Sequence, residues 1–68
     1  MKINTNEYEF THGKAPRGEG YWAFQFYRMG LGLIVTEFAP GQMTCGAAKK
    51  WAAAYAKQLG ADRVAVAA

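Results

Sequence analysis

One histidine, one cysteine and a loop with glycines at 13, 18 and 20 are the parts of this sequence with chemistry to offer. His12 has the type of a general base, Glu19 of an acid and Cys45 of a nucleophile whose thiolate a helix start can favour. Nothing in the spacing joins the three. With one His, one Asp and no Ser, the chain cannot assemble a Ser-His-Asp set either. The expectation is a protein that is not an enzyme, with Cys45 packed against a sheet and His12 bracing its own loop.

The loop from Thr11 to Gly20 can be read as a phosphate cradle, since glycines let backbone amides converge while Lys14 and Arg17 supply charge. The order Gly18-Glu19-Gly20 lacks the context of a dinucleotide fingerprint, which needs a strand before it and a helix after it. Glu19 would also repel phosphate. The same residues equally shape a wide connection between strands, with Pro16 and the glycines fixing its geometry.

Two aromatic side chains, Tyr21 and Tyr27, stand near Arg17 and Arg28. Aromatics on an open sheet can stack unpaired bases while cations hold the backbone, so a single-stranded nucleic-acid-binding module is one reading. Tyr beside Arg and a rigid Gly/Pro loop is also the composition of a protein-binding hot spot, which requires no cofactor. That reading ranks first. Its expected contact set is Lys14, Arg17, Tyr21, Gln25, Tyr27 and Arg28.

The elements that must position these residues follow from periodicity. Tyr8 and Phe10 alternate with Glu7 and Glu9, which predicts a short edge strand. Tyr21 to Arg28 predicts a second strand with Trp22, Phe24 and Phe26 inward and Tyr21, Gln25 and Tyr27 outward. Met29 to Gly32 predicts a hairpin turn. Leu31 to Phe38 predicts a third strand, with Leu33 and Val35 on one face and Ile34, Thr36 and Phe38 on the other. Because both faces are partly apolar, it is expected centrally or against a second chain.

Pro40 and Gly41 end the sheet, and Thr44 caps a helix from Cys45 to Leu59 that stops at Gly60. Ala48, Trp51, Ala52, Tyr55 and Leu59 form its apolar stripe, with Lys49, Lys50 and Lys57 on other faces. Arg63 to Ala67 predicts a last strand with Val64 and Val66 inward. The expected fold is a single α+β domain over residues 1–68, a small four-stranded mostly antiparallel sheet with one helix on one face, in the order β-β-β-α-β. The other face stays open, and Tyr21, Gln25, Tyr27 and Ile34 are expected there.

Composition bounds these readings. With 68 residues, 51% hydrophobic and 15% aromatic, the chain has room for one small core and more aromatic surface than a single helix can cover. Part of that surface should line an interface, and a homodimer is one form of it. A net charge of +3 permits an acidic partner without the dense basic coverage of a dedicated DNA binder. One Cys and one His exclude an internal disulfide and leave too few ligands for a transition-metal site, so no metal or cofactor is expected. No apolar signal core or membrane-length run is present, and a reducing cytoplasm with no membrane partner is the expected setting.

The segment His12-Gly13-Lys14-Ala15-Pro16-Arg17-Gly18-Glu19-Gly20-Tyr21-Trp22-Ala23-Phe24, followed by Ala39-Pro40-Gly41-Gln42-Met43 and the Ala/Lys helix, resembles small uncharacterised proteins of phages and mobile elements. The resemblance covers most of the chain. It implies a bacterial host and a class of short single-domain proteins that bind and disable host defence machinery, anti-CRISPR proteins among them. Many such inhibitors are acidic mimics of nucleic acid. This chain is basic, so the mode that remains is the blocking of a protein surface.

Overall fold

A computed structural model describes residues 2–67 as two helices and six strands. In chain order these are β1 (Ile3–Asn4), α1 (Asn6–His12), β2 (Glu19–Gly20), β3 (Ala23–Arg28), β4 (Gly32–Phe38), β5 (Met43–Thr44), α2 (Cys45–Leu59) and β6 (Arg63–Val66). The main sheet has four strands in the order β1-β6-β3-β4. β3 pairs antiparallel with both β4 and β6, while β1 runs parallel to β6. The α+β class with a mostly antiparallel four-stranded sheet under a helix is therefore the observed one.

The core follows from two periodicities meeting. Alternation along β3 sends Phe24 and Phe26 to one face, where Val64 and Val66 of β6 lie beside them in register. All four are fully buried. Against them α2 sets Ala48, Ala52 and Ala56, spaced one turn apart and fully buried, so the helix axis comes down close to the phenyl rings. Trp51 and Tyr55 flank that stripe, stacked on each other at 5.1 Å, and Phe26 meets Tyr55 edge-on at 5.3 Å. Thr44 caps α2 by accepting a hydrogen bond from the Ala47 N–H at 3.2 Å, and Gly60 ends it in the left-handed conformation at φ 73°.

β4, α2 and β6 form a split crossover unit. β6 returns in the same direction as β4, but β3 occupies the place between them and runs the opposite way. This topology moves β4 to the edge of the sheet, so of the two places expected for it, central or against a second chain, the central one is corrected. A bulge adds to the change. Phe26 pairs with Val35 and Tyr27 with Leu33, leaving Ile34 as an additional residue, so Leu33 and Val35 fall on opposite faces rather than together.

The predicted strand at Tyr8 and Phe10 is instead α1. Asn4 Oδ1 accepts the Asn6 N–H at 2.8 Å and Thr5 O accepts the Glu9 N–H at 2.9 Å, so local bonds start a helical turn. Gly13 at φ 72° closes it, with its N–H donated to Glu9 O. Tyr8 turns inward toward Trp22 at 5.6 Å, while Phe10 is 93% exposed. The expected edge role belongs to β1. A second small sheet, β2 with β5, ties the loop ahead of β3 to the start of α2.

Candidate functional site

α2 shields one face of the main sheet, and the face turned away from it is built by alternation from Ala23, Gln25 and Tyr27 of β3, Arg63 and Ala65 of β6, and Leu33, Thr36 and Phe38 of β4. Gln25 and Tyr27 are half-buried there. The Tyr27 hydroxyl donates to Gln25 Oε1 at 3.1 Å, and the Arg63 guanidinium carbon lies 4.9 Å from the Tyr27 ring centre. These contacts fix the tyrosine in one orientation. They also occupy its ring, so a base could stack on Tyr27 only by joining or displacing Arg63.

Of the six expected contact residues, Gln25 and Tyr27 are the two brought together on this face. Tyr21 stands just ahead of β3 and is 66% exposed. Lys14 and Arg17 are exposed in the loop between α1 and β2. That loop is held at the start of β3, because Gly18 O accepts both the Trp22 indole Nε1–H at 3.3 Å and the Cys45 N–H at 3.0 Å. Arg28 lies at the far end of β3, about 17 Å away at about 3.4 Å per residue. Its Nη1 is 3.3 Å from where a Cβ on Gly60 would stand, so it borders the C-terminus of α2, where a cation suits the helix dipole. Lys14 and Arg17 thus lie in the loop ahead of β3 and Arg28 at its far end.

The glycines of the loop serve the fold. Gly13 closes α1, the Gly18 carbonyl joins two elements, and Gly20 pairs with Met43 in the β2–β5 ladder. Pro16 is buried beside them. His12 is exposed and stacks on Tyr8 with ring centres 4.0 Å apart, a contact within α1 and not with the loop it is expected to brace. Cys45 is buried in the first turn of α2. Glu19 lies in β2 opposite Thr44.

Apart from Tyr21, the large exposed apolar side chains lie outside the expected set of six. Met29 is 88% exposed and Leu31 73% at the tip of the β3–β4 hairpin, and Leu33, Ile34 and Phe38 continue along β4, Phe38 at 65%. Turns are ordinarily polar, and two large hydrophobic residues interleaved with Gly30 and Gly32 were the available signal. For Arg63 no signal existed in the sequence, because its approach to Tyr27 depends on β6 inserting beside β3. A run of this kind next to a half-open sheet face is an apolar surface with a polar, cationic margin, the composition of an association surface. Among the described residues no helix is long and apolar enough to cross a membrane. Comparison with protein-family models, with curated proteins and with solved structures finds no match to this chain.

Proposed function

We propose that this chain is a small non-catalytic binding protein that acts by stoichiometric protein–protein association. The observation that carries the reading is that the exposed Leu33 and Phe38 share the Gln25–Tyr27 face, with Met29 and Leu31 exposed at the adjoining hairpin tip. Large apolar side chains left in water at one edge of a small domain are stabilised when a partner covers them. Tyr27, held by Gln25 and Arg63, loses little side-chain freedom on being covered and so serves as an anchor. In the setting implied by the phage-like segment, the chain works in the cytoplasm of a bacterial host, and the surface it blocks belongs to a host defence complex.

The test is capture from a bacterial lysate by the immobilised chain, with partners identified by mass spectrometry, against the variant Leu31→Asp/Leu33→Asp. Both leucines are exposed, so the variant keeps its thermal transition. A protein retained at a fixed ratio by the native chain and lost from the variant supports the reading; equal retention by both rejects it. Oligonucleotide binding titrated with salt is measured alongside. Tight binding at low salt that falls steeply as salt rises would favour a single-stranded nucleic-acid module in its place.

A further inference from the structure

β4 is an edge strand guarded only by the bulge at Ile34 and the single charge of Glu37. Its seven residues, Gly-Leu-Ile-Val-Thr-Glu-Phe, include no Pro, no Lys and no Arg, and Glu37 is the one charge. The opposite edge, β1, is two residues long. One side of the sheet is thus closed to extension and the other offers a free ladder.

The direction of that ladder can be read from the hydrogen bonds already made. Ala39 donates its N–H to Trp22 O at 2.8 Å, which makes 22 and 39 a hydrogen-bonded pair across the hairpin. By antiparallel alternation, Phe24 with Glu37 and Phe26 with Val35 are the next hydrogen-bonded pairs, so Glu37 and Val35 spend their backbone groups on β3. Phe38 and Thr36 then direct N–H and C=O away from the sheet, and Ile34, the extra residue of the bulge, has no partner residue on β3. On the far side of β3 the same alternation holds, since Ala67 donates to Ala23 O at 2.9 Å.

Ile34 and Phe38 stand symmetrically about Thr36. Resting on the reading of this surface as a protein-binding one, we propose that β4 pairs antiparallel with β4 of a second copy, with Thr36 on the two-fold axis and Phe38 opposite Ile34 of the other copy. In this register Thr36 meets Thr36 of the other copy and exchanges both N–H···O bonds with it. On the α2 side Val35 faces Glu37 of the second copy, so the two Glu37 carboxylates are not directly opposed. On the open side Phe38 covers Ile34, the aromatic with β-branched pairing that stabilises neighbouring strands. The bulge at Ile34 ends the regular stretch where the ladder ends.

Charge fits a second copy as well. All cations of the chain lie outside β4, so the +3 charge of each copy is not concentrated at the contact. Ile34 and Phe38, both exposed, offer on the order of one to two hundred Å² per copy, less than one side of a standard interface at about 800 Å², so the dimer is held chiefly by its backbone ladder. The contact is isologous and closes on itself, and the result is one continuous sheet across two chains. Its open face carries two Gln25–Tyr27 patches, which makes the assembly bivalent for a partner.

Sedimentation equilibrium of the native chain is expected to give twice the 7.5 kDa of one copy at about 100 μM, the range in which a modest interface is populated. Thr36→Pro removes an outward N–H from each copy at a position where an edge strand tolerates Pro, and should weaken dimerisation at least about tenfold. Thr36→Cys tests the axis without depending on that variant's folding. A hydrogen-bonded pair places the two Cα atoms about 5.5 Å apart, within disulfide reach, so oxidant should link two copies covalently. The native chain, with only buried Cys45, should not be linked. A native chain that stays at the monomer mass overturns the proposal, whether or not an extended peptide of another protein proves to lie on β4. So does a dimer that Thr36→Cys fails to trap. Partner capture that survives in a monomer rejects the dimer alone, and a dimer that captures nothing rejects the binding reading alone.

Discussion

Arg63 covers the face of Tyr27, its guanidinium carbon 4.9 Å from the ring centre. The pair ties β6 to β3 on the side of the sheet that α2 does not reach. Exposed cation–π contacts are worth about 0.5–1 kcal/mol. A urea-denaturation cycle of Arg63→Ala, Tyr27→Leu and the double variant should return a coupling of that size. A coupling indistinguishable from zero would show that the two side chains merely coexist.

Phe26 is the residue on which the core is most dependent. It is fully buried, meets Tyr55 at 5.3 Å and Trp51 at 6.2 Å edge-on, and lies beside Val64 in register. Phe26→Ala should cost about 3–5 kcal/mol. Domains of this size have total stabilities near the low end of about 5–15 kcal/mol, so the variant should be largely unfolded at 37 °C by circular dichroism. A cooperative transition close to that of the native chain would contradict the packing described for α2.

The two ends of α2 are separable. Thr44→Ala deletes the acceptor for the Ala47 N–H and should cost about 1 kcal/mol, with Thr44→Ser close to neutral. Gly60→Ala forces a Cβ onto a residue at φ 73° and should cost about 1–2 kcal/mol. The nearby Arg28 Nη1 is the end of a flexible side chain and can move aside, so the backbone carries the penalty. Restoration of Gly60→Ala by Arg28→Ala would instead assign the cost to the side-chain contact.

Cys45 reports on the first turn of α2. Its side chain is buried and its N–H is bonded to Gly18 O. A thiol reagent should label it slowly in the native chain and rapidly in denaturant, with the native rate rising in Trp22→Ala, which removes the indole hydrogen bond to the same carbonyl. Native labelling as fast as in denaturant would mean that the turn opens freely.

Periodicity made β3, the hairpin and α2 legible, because their side chains repeat at two and at three to four residues against a single core. The helix α1 was not legible in the same way. Tyr8 and Phe10 alternate like a strand, yet only Tyr8 is used, and what starts the turn is the Asn4 side chain taking the Asn6 N–H. The β2–β5 ladder joins two residues each across a wide sequence gap and leaves no pattern to read. As for the site, the outward positions of Gln25 and Tyr27 followed from alternation alone. The edge position of β4 did not, since two apolar faces describe a buried strand and an unpartnered one equally well, and only the insertion of β3 between β4 and β6 decides between them.

The three alanines of α2 have a consequence for how this protein can change. With Ala48, Ala52 and Ala56 fully buried against aromatic rings, the helical layer has no slack, and a larger residue at any of them must lift the whole helix. Sequence variation compatible with folding is therefore pushed to the opposite side of the sheet, where Leu33, Thr36 and Phe38 can be exchanged without disturbing what lies beneath. The rigid half of the molecule leaves the other half free to acquire new specificities.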